Sequence, residues 1–391
     1  MEAGRNRRGC LLSVVQKEHL NLDDLRDRAQ GLENNYVFKN DKIPEYPRPE
    51  IHVSHLKHDT DRKGLIGIKL FRGFRNPWRE DLVWWGLSVG REELRSAEQR
   101  LLQETYPDRT EQQVQDQQSF LGKFASSLAF KKISRLGSYR FTFPLQELLE
   151  AYSRQFCGGE QPLMRVYETH LYKQEVMYVV LVHSPANQEQ FSEYPLLSDD
   201  PNAVCCYRDG RFIWRPEAMC ETHRFELFRN DETQLMEARP CSPHEHYVWD
   251  NVGIALHVED KLLEFDPDRL REKLKFCEGE KLLHFKVKFD DFPSAEATVR
   301  RLWPEHPSPL QRDEEPSPLQ RDEEPSPLQR DEDPSPLQRD EEPGRDEDHS
   351  PLQRDEDPSP LQRDEDPSPL QRDEEPSPLQ RDEEQDINKA E

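Results

Sequence analysis

Met177-Tyr178-Val179-Val180-Leu181-Val182 carries no charge and no polar group beyond one phenol. An extended strand built from it is apolar on both faces, which fits a strand covered on both sides within a sheet. The stretch 163–172 precedes it across Lys173-Gln174-Glu175, so 163–172 and 176–183 read as neighbouring strands. Downstream, 203–207 and 211–214 flank Asp209-Gly210, a pair suited to the positive backbone angles of a two-residue hairpin turn. Strand chemistry continues over 223–229, 247–258, 261–265 and 282–289, interrupted by a short helix expected at 267–276.

The first half reads differently. Residues 51–56 alternate apolar and polar, and 64–71 and 81–89 are further strand or strand-turn candidates. Leu94, Leu101 and Leu102 give 92–104 helical spacing, and 112–128 continues in that manner. Pro144 followed by Leu145, Leu148, Leu149, Tyr152 and Phe156 predicts an amphipathic helix within 143–156. The expected class is α+β: mostly antiparallel sheets with a helical insertion in the first half.

Three regions follow: a polar arm at 1–45 with a short helix near 23–33, one globular domain at 46–304, and a tail at 305–391. The tail repeats Pro-Ser-Pro-Leu-Gln-Arg-Asp-Glu-Glu/Asp almost without variation. It holds 10 basic and 30 acidic residues, a net −20 of the chain's −25. Two prolines and one leucine in each nine residues offer neither a hydrogen-bonded ladder nor enough burial to offset ordering, so the tail is expected to be disordered. Its Ser-Pro pairs, at Ser308, Ser317, Ser326, Ser335, Ser350, Ser359, Ser368 and Ser377, are candidate sites for a proline-directed kinase.

No run of 18 apolar residues is present, so no membrane-spanning helix is expected. Seven cysteines, odd in number and without framework spacing, suggest a reducing compartment, cytoplasmic or nuclear. Net acidity argues against non-specific nucleic-acid binding.

Four stretches stand out chemically. Ile51-His52-Val53-Ser54-His55-Leu56 leads through Gly67-Ile68-Lys69-Leu70-Phe71-Arg72-Gly73-Phe74 to Leu82-Val83-Trp84-Trp85-Gly86. Far downstream comes His244-Glu245-His246-Tyr247-Val248-Trp249-Asp250-Asn251-Val252-Gly253-Ile254. In order and texture these resemble the polymerase-like branch of the ADP-ribosyltransferase fold. The resemblance implies NAD as cofactor, gripped by His55 or His52, with Trp84 or Trp85 lining the nicotinamide pocket and Glu245 as the catalytic carboxylate. The span 64–304, including Trp-Asp-Asn-Val-Gly-Ile-Ala-Leu-His, also resembles an uncharacterised multigene family of fishes, which implies no activity.

Two other expectations stand beside the transferase. One is a non-enzymatic scaffold that binds a protein partner, with a phosphorylatable acidic tail. The other is a zinc-stabilised domain, since Cys220-Glu221-Thr222-His223 and Cys241-Ser242-Pro243-His244 are two Cys-x-x-His pairs with the form of a tetrahedral site.

Overall fold

The apolar hexapeptide lies inside a sheet, as its composition requires: Tyr178 through Val182 are buried. The computed structural model describes residues 2–5, 11–21, 24, 27, 45–75, 81–172, 175–216, 225–241, 251–280 and 287–313, all within one unit, Met1–Glu324. Its strands in chain order begin with β1 (Glu2–Arg5), β2 (Leu11–Gln16), β3 (Ile51–Val53), β4 (His55–Thr60), β5 (Gly73–Phe74) and β6 (Leu82–Ser88). They continue with β7 (Tyr139–Pro144), β8 (Leu163–Tyr172), β9 (Glu175–His183), β10 (Cys205–Arg208), β11 (Arg211–Trp214) and β12 (Phe225–Asn230). The last are β13 (Leu235–Pro240), β14 (Asn251–His257), β15 (Leu263–Glu264), β16 (Leu274–Phe276) and β17 (Gln311–Arg312). The helices are α1 (Arg62–Phe71), α2 (Arg91–Thr105), α3 (Glu111–Asp116), α4 (Leu121–Phe124), α5 (Leu145–Phe156), α6 (Pro267–Lys273) and α7 (Phe292–Leu302).

The class is α+β. A ten-stranded sheet runs β1-β2-β8-β9-β14-β6-β4-β7-β16-β17, antiparallel throughout except at β9–β14 and β16–β17. Smaller sheets pair β10-β11-β3, β12-β13 and β15-β5. Asp209 and Gly210 both have positive φ, 52° and 74°, as the β10–β11 hairpin turn demands.

Register divides the centre of the large sheet into two unlike faces, because directly opposed residues share a side. Leu56 opposes Leu87 and Phe143, and His58 opposes Phe141. This face packs on Phe74, whose ring lies 4.9 Å from Trp85, 5.1 Å from His58 and 5.3 Å from Phe141. The opposite face carries Lys57, Asp59 and Arg140.

Several elements depart from the sequence reading. Residues 62–71 form a helix where a strand was a candidate: the Asp61 carboxylate caps the Gly64 amide, and Leu65 and Ile68 enter the core three residues apart. Ser54 splits 51–56 into strands of two different sheets. The helix over 112–128 breaks into α3 and α4, and 267–276 is helix only to Lys273. Helix α7 was not anticipated, although Asp291 caps it, proline stands in its first turn, and Ala295 and Val299 are spaced for burial. Of 282–289, residues 282–286 lie outside the described residues.

Parts of both the arm and the tail belong to the folded body. Leu11–Gln16 pairs antiparallel with β8, and Val15 and Leu20 are buried, so this part of the arm belongs to the sheet. Of the helix expected at 23–33, only Asp24 and Asp27 are described, both helical. At the other side the described residues run past Pro304 into the first repeat as far as Asp313. Among the described residues no helix is long and apolar enough to cross a membrane.

Candidate functional site: a strand dock on a buried charge cluster

The residues singled out for an NAD site distribute unevenly. His52, on β3, opposes Ile213 and places its Nε2 3.2 Å from Glu50. His55 opens β4 opposite Ser88; its Nδ1 lies 2.9 Å from Ser54 Oγ, which donates to Glu93 at 3.0 Å. Burial holds the His55 imidazole below its ordinary pKa. Trp85 is in the aromatic core, while Trp84 faces the other way and its carbonyl accepts from His58 at 2.8 Å. Register therefore puts His55 and Trp84 on one face and Trp85 on the other. Glu245 lies outside the described residues, as do Cys220, His223 and His244 of the zinc candidate. Cys241, just after β13, is half-buried, and burial raises its thiol pKa.

The face shared by His55 and Trp84 carries a charge cluster that the motif search passed over. Arg140, in the middle of β7, is 2% exposed. Its guanidinium grips Asp59 with two bonds of 2.7 Å, from Nε to Oδ1 and from Nη2 to Oδ2. Its Nη1 donates to Asp313 at 2.7 Å. The carbonyls of Lys131, Lys132 and Ile133 take weaker bonds from the same group. Burial disfavours the Arg140 cation, but the Asp59 charge outweighs it and raises the pKa; burial likewise opposes the Asp59 anion, and Arg140 wins, lowering its pKa. Lys57, next along the face, donates to the carbonyls of Leu128 at 2.6 Å and Ala129 at 3.3 Å. Burial first, and then the neighbouring Arg140 charge, bring its pKa down to about 7.

Asp313 belongs to the first repeat, and that repeat is seated as a strand. Gln311 and Arg312 pair parallel with Lys275 and Phe276 of β16, and the Asp313 amide donates to the Phe276 carbonyl at 2.7 Å. Alternation then sends the side chains to opposite sides. Leu310 is buried in the core. Arg312 lies over the Phe292 ring at 4.2 Å and bonds Glu278 at 2.9 Å. Asp313 turns to the charged face, where Lys132 and Lys275 stand 3.7 and 3.8 Å away in addition to Arg140. Upstream, buried Arg271 donates to the Ser308 carbonyl at 2.7 Å. A cavity of about 100 Å³ remains beside it, walled by Arg271, Val299, Trp303, His306 and residues of the repeat. Of the eight phosphorylation candidates Ser308 alone is described, and it is exposed.

Without Asp313, Arg140 would keep only the Asp59 carboxylate, and Lys132 and Lys275 would lose the anion they face. The site is thus built to receive an anion on one side of an added strand and an aliphatic side chain on the other. The sequence did carry a signal: two opposite charges at alternate positions of one strand, Lys57 and Asp59, and a lone charge, Arg140, within Tyr139-Arg140-Phe141-Thr142-Phe143 of the other. Such residues inside a sheet are rarely buried without a partner. Compared with known proteins, the chain matches no family model, no curated protein and no solved structure.

Proposed function

We propose that the body acts as a non-enzymatic interaction module that captures an extended acidic peptide by strand addition, with its own first repeat as resident occupant. One observation carries this reading: a proline-rich, highly charged segment with one leucine is held in a single register by Arg140, β16 and the Leu310 seat. In strand addition, main-chain bonds to a sheet edge supply affinity, and alternate side chains entering distinct sites supply specificity. Both parts are present here. The carboxylate is recognised inside a buried network, where an ion pair weighs more than on an exposed surface.

Trypsin tests this on the full-length chain, because every repeat offers an Arg-Asp bond of the same chemistry. Cleavage after Arg312 is expected to be slower than after Arg321 or Arg330, and peptide mapping by mass spectrometry reads all three at once. Arg140→Met is expected to raise the Arg312 rate to that of the others. Equal rates in the wild-type chain would remove the docking module.

A further inference from the structure

The seated segment Ser308-Pro309-Leu310-Gln311-Arg312-Asp313 recurs seven more times, beginning at Ser317, Ser326, Ser335, Ser350, Ser359, Ser368 and Ser377. Every side chain that holds it, Leu310 in the core, Arg312 over Phe292 and Asp313 on Arg140, has an identical counterpart in each later copy. We infer that the dock reads the repeat itself, and that the second repeat, 316–324, competes with the first for one seat.

The inference rests on the docking module proposed above and adds that the seat is not private to the first unit. Register makes the exchange discrete. Sliding the tail by one residue in either direction would send Asp313 toward the apolar side and take Leu310 from its seat, so a one-residue slip loses both contacts. Where two units abut, a slide of nine residues restores every contact, and no shorter one does. The sheet edge accepts any extended backbone, while the leucine seat and the arginine accept one spacing, an aliphatic residue three positions before a carboxylate. The second repeat thus presents an equivalent ligand to the same receptor site.

The first unit holds the seat by tether length. Three residues, 304–306, join Trp303 to Pro307, whereas twelve, 304–315, would join it to Pro316. Loop-closure cost grows with the logarithm of length, so that closure probability falls as its three-halves power, and a fourfold longer link makes the second unit about eightfold less favoured. Disabling the first unit removes that advantage.

The decisive experiment uses the full-length chain with Leu310→Ser and Asp313→Asn, which leaves Arg312 as a cleavage site. Protection from trypsin is expected to leave Arg312 and appear at Arg321, so that cleavage after Arg321 becomes slower than after Arg363. A second chain, with leucine changed to serine in all eight units, is expected to lose protection everywhere and to bind fluorescein-labelled Pro-Ser-Pro-Leu-Gln-Arg-Asp-Glu-Glu saturably. The same peptide with leucine replaced by aspartate is expected not to bind. Asp313→Asn alone is the milder variant should the double change unfold the body; it is expected to divide protection between Arg312 and Arg321. If Arg321 stays as fast as Arg363 in both first-unit variants and the labelled peptide does not bind, the seat belongs to the first unit alone. That result differs from loss of the docking module, in which Arg312 is unprotected in the wild-type chain.

Discussion

The two edges of the ten-stranded sheet are formed by segments from opposite parts of the chain, and by different physics. On the amino-terminal side, β2 lays four successive residues, Ser13 to Gln16, against Leu171 to Glu168 of β8, and β1 pairs in turn with β2. Val15 and Leu20 are buried there, the His19 ring lies 3.0 Å from the Leu196 carbonyl, and Lys17 pairs with Glu193 on the surface. On the carboxy-terminal side, β17 contributes two paired residues and leans on side chains: one leucine, one stacked arginine and one carboxylate inside a cation cluster. An open sheet edge accepts any strand, which is why proteins cover it. A long backbone ladder covers an edge with little regard to sequence. A short ladder hung on three side chains covers it selectively, and the C-terminal edge is therefore the one suited to recognition.

The largest effect that would break this comparison is expected at Arg140. Arg140→Met leaves Asp59 and Asp313 as carboxylates in a buried site, and removing one member of a buried ion pair costs about 3–5 kcal/mol. Chemical denaturation of the full-length protein measures it. Removing the Lys17–Glu193 pair at the other edge with Glu193→Gln is expected to leave the denaturation midpoint nearly unchanged, since both groups are exposed. Comparable losses at the two sites would mean that the charge cluster does not set the carboxy-terminal edge apart.

Lys57 gives a smaller effect with a definite sign. Its pKa in the folded chain is about 7 against 10.5 for an unhindered lysine, mainly because burial disfavours the cation and Arg140 repels it. Asp59 and Asp313 oppose that shift, and Lys132 adds to it. Between the two pKa values the unfolded chain binds a proton that the folded chain has released, so stability rises with pH. The slope is at most about 1.4 kcal/mol per pH unit for one proton. The window runs from pH 7 to 9; above it the Cys277 thiol, whose pKa burial raises, works in the opposite direction. Lys57→Met is expected to flatten the rise while lowering overall stability, because three carbonyls lose their donor. A slope unchanged in that variant would assign the titration to another group.

What the sequence revealed, and what it hid, follows from the range of the interactions concerned. The apolar run at 177–182 located the sheet interior, and Asp209-Gly210 located a hairpin, because each depends on neighbours in the chain. The α+β class followed from such local signals. The dock did not, since Arg140 meets Asp59 and Asp313 across 81 and 173 positions of sequence. Composition also misled at 305–313. Nine residues with one leucine cannot stabilise themselves, but a preformed sheet edge and a cation cluster supply what the segment lacks. The 64–71 stretch, a strand or strand-turn candidate, is helix because the Asp61 cap and the spacing of Leu65 and Ile68 decide for it.

The smallest effect sharpens the comparison within the dock itself. Arg312 and Glu278 form an ion pair at 2.9 Å with more than half of each side chain exposed, while the Arg312 guanidinium also lies over Phe292. Exposed pairs contribute about 0–1 kcal/mol, so Glu278→Ala is expected to raise the rate of cleavage after Arg312 by less than about fivefold. Raising the salt concentration to 1 M, where the Debye length falls to about 3 Å, is expected to have an effect of the same small size, because the Asp313–Arg140 pair is shielded from solvent ions. Arg140→Met, in contrast, is expected to erase the protection. If Glu278→Ala opened the edge as fully as Arg140→Met, the tail would be held at its solvent rim, and the buried cluster would serve the body's own stability rather than recognition of the repeat.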